Sequence, residues 1–239
     1  MSQNIKELFG AKLAARDGDI GHIKDFYFDD KTWVVRYVVA ETGSWFTGRK
    51  VLLSPYAFGS FNQDGPLAVN LTREQIENSP PIESHEPVSR QYEVKYYHYY
   101  GWPAYWEGPR TWGIWSYPVV LPLAKPEVGA EAHEPGQGDS HLRSMRAVEG
   151  YQVKTSDGTI GHLYGFTVDR ESWAIRGAVV KTGRHSDDEI LISPDQIDEI
   201  SFAERKMIVN LTKGDFSRSG GDEVARAGGG DLRATNFHD

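Results

Sequence analysis

At 239 residues, with a formal net charge of −8 and no cysteine, the chain excludes several classes at once. Disulfides, thiol nucleophiles and cysteine-based metal sites are absent, and an acidic chain without a Lys/Arg run does not fit a nucleic-acid partner, which needs a concentrated basic face. No apolar run reaches signal-peptide or membrane-spanning length, so the expectation is a cytoplasmic chain with no direct membrane insertion, peripheral to the inner membrane only through a partner.

In chain order, Lys12 to Ala15 reads as a short strand and Asp17-Gly18 as a turn whose glycine supplies positive φ. Gly21 to Asp29 and Trp33 to Glu41 are rich in aromatic and β-branched residues. They flank the four-residue break Asp29-Asp30-Lys31-Thr32, a hairpin signal. Lys50 to Leu53 and Leu67 to Leu71 complete a set of strands. Ser54-Pro55 places a capping residue before proline and predicts a single helical turn. Thr72-Arg-Glu-Gln75 is a capping-box pattern that opens a short helix stopped by Pro80-Pro81.

The next segment is of another kind. Ser79 to Pro87 is proline-rich, and Tyr92 to Tyr117 holds eleven aromatics in 26 residues. Pro122 to Ser140 turns polar and rich in Gly, Pro and Glu, and reads as flexible. After it the first pattern returns. Gly10 to Gly43 aligns without a gap on Gly150 to Gly183, a 140-residue offset, with 13 of 34 positions identical. The shared positions include Asp17/Asp157, His22/His162, Asp29/Asp169, Trp33/Trp173 and Arg36/Arg176. Strands are expected again at Gln152 to Lys154, Gly161 to Val168, Trp173 to Lys181, Glu189 to Ile192 and Lys206 to Leu211, with a helical turn at Ser193-Pro194. Thr212-Lys-Gly-Asp215 lacks the capping-box residues and predicts that the second copy unravels there. The tail after Ser217 has too few apolar residues to order itself.

This order of elements, twice over, resembles the PRC-barrel family, named for the cytoplasmic domain of the photosynthetic reaction-centre H subunit. The residues that carry the likeness are Asp17-Gly18-x-Ile20-Gly21, Asp29, Trp33 and Leu53-Ser54-Pro55, then Asp157-Gly158-x-Ile160-Gly161, Asp169, Trp173 and Ile192-Ser193-Pro194. The fold expectation is mostly β: two small PRC-type β-barrels from an internal duplication, joined by an aromatic-rich linker. The expected boundaries are 1–78 for the first module, 79–147 for the linker, 148–216 for the second module and 217–239 for a disordered tail. The resemblance implies non-enzymatic β-barrels that bind protein partners. Its two best-known roles are an auxiliary cytoplasmic subunit of a photosynthetic or electron-transfer membrane complex, and a ribosome-assembly factor. Neither carries over residue by residue, because this sequence shows neither the membrane-spanning helix nor the second type of barrel that accompanies the module in those proteins.

The residues themselves offer no complete catalytic set. His22 and His162 have no companion ligands at metal spacing, and read as turn or surface residues. Asp17-Gly-Asp19 lacks the glutamate of a calcium loop. Asp29 and Asp169 start hairpin turns, each without a second acid in reach. Arg36 and Arg176, three residues after a shared tryptophan, read as outward side chains bridging to a neighbouring strand. Trp33 and Trp173 read as core or rim. No phosphate loop or nucleophile elbow is present around the glycines or at Ser54 and Ser193. Hence no catalytic residue, cofactor or metal is expected. The candidate partner-binding residues are Tyr97, Tyr100, Trp102, Trp106, Trp112 and Trp115, rings with a polar tip suited to interfaces. The plain alternative is that they cover an open barrel edge or glue the modules together. Glu93, Lys95, His98, Glu107 and Arg110 form the expected charged rim. The expected partner is a protein, with a second copy of the chain also in view.

Overall fold

A computed structural model describes residues 2–42, 49–59, 65–80, 88–120, 142–182 and 188–219. The flexible stretch expected at Pro122 to Ser140, most of the linker before Val88 and the tail from residue 220 lie outside the described residues.

The chain is mostly β. The first half contributes β1 (Ser2–Asn4), β2 (Lys12–Ala15), β3 (Gly18–Asp29), β4 (Val34–Thr42), β5 (Lys50–Leu53) and β6 (Leu67–Ala68), followed by α1 (Arg73–Glu77). After α2 (Arg90–Tyr100) come β7 (Leu142–Ser144) and α3 (Met145–Val148), then β8 (Gln152–Thr155), β9 (Gly158–Asp169), β10 (Ile175–Lys181), β11 (Glu189–Ile192), β12 (Ile197–Ser201), β13 (Lys206–Val209) and α4 (Lys213–Ser219). One sheet runs β5-β4-β3-β2-β6 and the other β11-β10-β9-β8-β13-β12. Both are open paths, so no closed barrel forms among the described residues.

Local chemistry explains the turns. Asp29 Oδ1 accepts from the amides of Lys31 and Thr32, and Asp169 Oδ1 from those of Glu171 and Ser172. Such Asx-type bonds fix a hairpin turn. Each turn ends on a tryptophan in the left-handed region, Trp33 at φ 55° and Trp173 at φ 58°. That conformation costs a non-glycine residue roughly 1–2 kcal/mol, offset by stacking of Trp33 on Phe28 at 5.9 Å and of Trp173 on Phe58 at 5.3 Å. Ser54-Pro55 and Ser193-Pro194 each open one 3-10 turn, and Thr72 closes a full capping box with Gln75. Asp17 and Asp157 cap helices: their Oδ1 atoms accept from the Arg73 and Lys213 amides. The expected unravelling after Thr212 does not occur. Asp215 reaches back to the Thr212 amide and hydroxyl, and α4 forms behind it.

The two sheets interlock. The N-terminal strand β1 leaves its own sheet and pairs antiparallel with β9, placing Ser2 opposite Asp169 and Asn4 opposite Thr167. In return β7 pairs with β3, with Leu142 opposite Asp29 and Ser144 opposite Tyr27. Under the 140-residue offset these two registers are the same. Between them lies a bridge of Val34 with Ala174. The Val35 amide donates to the Trp173 carbonyl at 2.9 Å and the Ile175 amide to the Trp33 carbonyl at 2.7 Å. The sheets therefore meet about a local pseudo-twofold axis at this bridge, in the isologous manner of a symmetric dimer. Phe28 and Phe166 pack across it at 5.1 Å, and the buried side chains of both sheets form one continuous cluster.

Candidate functional site

The aromatic segment is where the candidate residues lie, and it is structured. Ser89 Oγ accepts from the Tyr92 amide at the start of α2, and Gly101, at φ 65°, ends it in a left-handed cap. On a 3.6-residue period Tyr92, Glu93, Tyr96, Tyr97 and Tyr100 share one face. That face lies on the first sheet, while Val94, Lys95, His98 and Tyr99 face solvent. A loop then folds Trp102, Tyr105, Trp106 and Trp112 under the helix. Tyr97 meets Trp102, Tyr105 and Trp106 edge-on at 6.4, 5.8 and 5.3 Å.

The structure places the six candidates mostly inside this packing. Tyr97, Trp102 and Trp112 are buried, and Tyr100, Trp106 and Trp115 are half-buried. Tyr100 stacks on Trp102 at 4.4 Å and Arg90 lies over Trp106 at 4.3 Å. The Trp112 amide donates to the Trp115 carbonyl at 2.9 Å. The Trp112 indole N–H donates to the Ser172 carbonyl at 2.8 Å, tying the segment to the hairpin turn of the other sheet. Their rings are consumed by cover and by inter-sheet contact.

Under the rings sits a buried polar cluster. Arg36 is not outward: its side chain is 2% exposed, whereas that of Arg176 is 58% exposed. The same β-bulge occurs in both copies: Phe28 pairs with Val35 and Tyr27 with Tyr37, leaving Arg36 as the extra residue, while Val168 pairs with Ile175 and Thr167 with Gly177, leaving Arg176. What separates the two arginines is the aromatic segment, which Arg36 and Tyr37 both reach. The Arg36 guanidinium lies 3.8 Å from the Tyr105 ring centroid and 4.9 Å from that of Trp112, donates to Thr111 O and to Thr32 Oγ1, and is 3.6 Å from Asp29 Oδ2. Arg176, without that cover, stays exposed, 3.9 Å from Asp169 Oδ2 on the neighbouring strand.

Glu93, expected on the rim, is fully buried. Its Oε1 accepts from the hydroxyls of Tyr37 at 3.0 Å and Tyr105 at 2.8 Å, and its Oε2 lies 3.0 Å from Arg90. A buried carboxylate is tolerated when it is paired in this way. Burial works to raise the Asp29 carboxyl, but the Thr32 and Lys31 amides and Arg36 outweigh it and hold the group below its ordinary range. Burial, and then the Glu93 carboxylate, push the Tyr37 hydroxyl well up, and burial lifts that of Tyr56 to about 12. Tyrosines so shifted stay neutral at physiological pH, and the Tyr37 hydroxyl serves as a hydrogen-bond donor to Glu93 rather than as a base.

Tyr96 does one further thing. Its hydroxyl donates to Leu52 O at 3.0 Å and accepts from the Ser54 amide at 3.0 Å. One phenol thus occupies an outward carbonyl of β5, the free edge of the first sheet, and the amide of the residue that follows the strand. His22 and His162 are exposed on separate sheets, opposite Lys12 and Glu41 in one case and Gln152 and Lys181 in the other. Among the described residues no three His, Asp or Glu side chains gather to hold a metal, and no helix is long and apolar enough to cross a membrane. The best-formed recess, lined by Gln3, Ile5, Leu8, Val168 and Trp173, holds about one water molecule at most.

Sequence reasoning missed Glu93 and the burial of Arg36. The first was within reach, since Ser89 and Gly101 bracket an eleven-residue helix on which Glu93 falls among the inward tyrosines. The second was not, because both arginines are bulged and the burial of Arg36 depends on a segment 75 residues away in the chain.

Compared with known families, residues 4–65 match the PRC-barrel domain. No curated protein matches the chain. The stretch that builds β2 to β5 and the hairpin under the aromatic cover, residues 4–65, is a PRC-barrel domain.

Proposed function

We propose that the chain is a non-enzymatic scaffold that binds a protein partner, built from two PRC-barrel modules, the second formed by residues 148–216. The recurrence of Asp-Gly, Asp, Trp and Ser-Pro at matching positions supports the second module, as does the shared strand order of the two sheets. In this reading the pair behaves as a fused dimer, and the aromatic segment locks one side of it. Its place is the cytoplasm, with any membrane association made through the partner.

The observation that carries the reading is an asymmetry between equivalent surfaces. Leu52 on β5 is 2% exposed beneath the aromatic cover, and its counterpart Leu191 on β11 is 59% exposed. Arg36 and Arg176 differ in the same direction. One sheet face is sealed from within the chain, and the matching face of the other presents an arginine and a leucine to solvent. Arginine beside apolar surface is the composition of an interaction hot spot.

The test is affinity capture from the native extract with the full chain, comparing wild type with Arg176→Glu. Capture should fall at least tenfold for Arg176→Glu while the melting temperature holds. Equal capture by both would remove the assigned face. If the captured partners belong to a membrane electron-transfer complex, the scaffold becomes an auxiliary subunit of that complex.

A further inference from the structure

Among the described residues, one free sheet edge is blunted less than the others. An open edge offers unpaired N–H and C=O groups to any extended chain, and proteins blunt such edges with short strands, charges, bulges or cover. The β5 edge is capped by the Tyr96 hydroxyl. β6 has two residues, and β12 carries Asp198 and Glu199 together with a register shift between Ile197 and Glu199. β11 is short, at four residues, and opens on the charge of Glu189, but among the described residues it has no bulge and no cover over Leu191. It is the terminal strand of its sheet, pairs with β10 in unbroken register and reads Glu189-Ile190-Leu191-Ile192.

The direction of its free groups follows from the ladder. The Thr182 amide donates to Asp188 O, so Thr182 and Asp188 form a bonded pair. Bonded and non-bonded positions alternate in an antiparallel ladder. Ile190 and Ile192 therefore bond to β10, while the backbone groups of Glu189 and Leu191 point away from the sheet. The Leu191 side chain lies exposed over Gly177, where a Cβ would come within 2.6 Å of its Cδ1.

We propose that β11 pairs with β11 of a second copy of this chain, antiparallel and centred on Leu191, joining the two sheets edge to edge across a twofold axis. The sequence of the strand is self-complementary in that register. Leu191 meets Leu191 of the second copy, Ile190 meets Ile192, and Glu189 falls opposite Ser193, whose amide already donates to Gln196 Oε1, so the bonds across the axis centre on Leu191 and no like charges face each other directly. The contact joins strands of four residues, so the association is weak and reversible, with a dissociation constant on the order of micromolar to hundreds of micromolar. This assignment rests on the outward backbone of β11, whereas the partner-binding reading above rests on the sheet face that Arg176 and Leu191 present.

The experiment is light scattering and sedimentation equilibrium on the full chain across a wide concentration range. Amide exchange is followed at low and high concentration. Wild type should shift toward dimer, and the amides of Glu189 and Leu191 should gain protection with concentration. Leu191→Pro deletes only an outward N–H, a substitution edge strands accept. It should raise the dissociation constant at least tenfold without lowering the melting temperature. Leu191→Lys, a charge on the edge, should do the same and decides the matter if the proline variant folds poorly. A chain that stays monomeric at all concentrations overturns the proposal. So does a dimer that both variants leave intact, or β11 amides protected only by a foreign partner. Concentration-dependent dimerisation should persist in Arg176→Glu, which separates failure here from failure of the scaffold reading.

Discussion

Replacing Tyr96 by phenylalanine removes one oxygen and keeps the ring. Tyr96 is fully buried, packing edge-on against Tyr37 at 5.5 Å and Tyr100 at 4.9 Å, so the apolar contribution is unchanged by the substitution. What is lost is the hydroxyl held between Leu52 O and the Ser54 amide, each at 3.0 Å. Both backbone groups then lie under the aromatic cover without a partner. An unsatisfied buried group costs about 1–3 kcal/mol, and some water entry at the vacated site reduces the sum, so the net expectation is about 2–3 kcal/mol. For a chain of this length that is roughly 4–12 °C in melting temperature. The assay is urea unfolding with amide exchange at Ser54, whose protection should fall in the variant. The comparison is Tyr100→Phe, whose hydroxyl sits 3.5 Å from Gln75 O at an exposed position and should cost under about 0.5 kcal/mol. Equal stability of Tyr96→Phe and wild type, with Ser54 still protected, would refute the edge-capping role.

Other expectations test different links. Gly21→Ala and Gly161→Ala would each place a Cβ 2.1 Å from a backbone carbonyl, of Glu41 and Lys181 respectively. Each should cost more than about 3 kcal/mol, whereas Gly10→Ala, in open space at φ 78°, should cost about 1–2 kcal/mol; thermal melts separate them. Acid titration should show two carboxyls of opposite sign. Asp29 is held below its ordinary 3.8, so its stabilisation is fully present above that value and is lost as pH falls below it, through the lower value of the folded state; in Asp29→Asn the acid loss should be shallower. Asp25 is raised, chiefly by burial against bonds from Ser144 and the Phe26 and Arg146 amides, so protonation favours the fold at low pH. Asp25→Asn should make the acid limb steeper, read by urea midpoints between pH 6 and 3. Trp112→Phe loses the bond to Ser172 O and should cost about 1–2 kcal/mol, with faster amide exchange at Trp112 and Trp115.

What the sequence made legible were features written locally. Asp-Gly turns, the four-residue hairpin breaks, Ser-Pro turns and the Thr72 capping box each depend on two to four adjacent residues, and each formed where the residue chemistry put it. The helix Arg90–Tyr100 was hidden because consecutive tyrosines blur the contrast between its faces, although Ser89 and Gly101 mark both ends. The reciprocal pairing of Ser2–Asn4 and Leu142–Ser144 could not be read at all. Each is a three-residue strand, defined only by a register with the opposite sheet. Both copies carry a bulge at this arginine, and only Arg36 is buried, because only it lies under the aromatic cover. The candidate rings were correctly singled out as unusual, and the structure spends most of their surface inside the molecule.

The account holds that this chain seals one sheet face with its own aromatic segment and offers the matching face of the other sheet to a partner. Hydroxyl-radical footprinting of the full chain, free and bound to its captured partner, measures this most directly. The free chain should show Leu191 oxidised and Tyr96, Tyr97 and Trp112 protected, and the partner should protect the stretch from Arg176 to Leu191 while leaving residues 90–117 unchanged. Protection gained instead at Trp102, Trp106 and Trp112, with Leu191 still reactive, would contradict it.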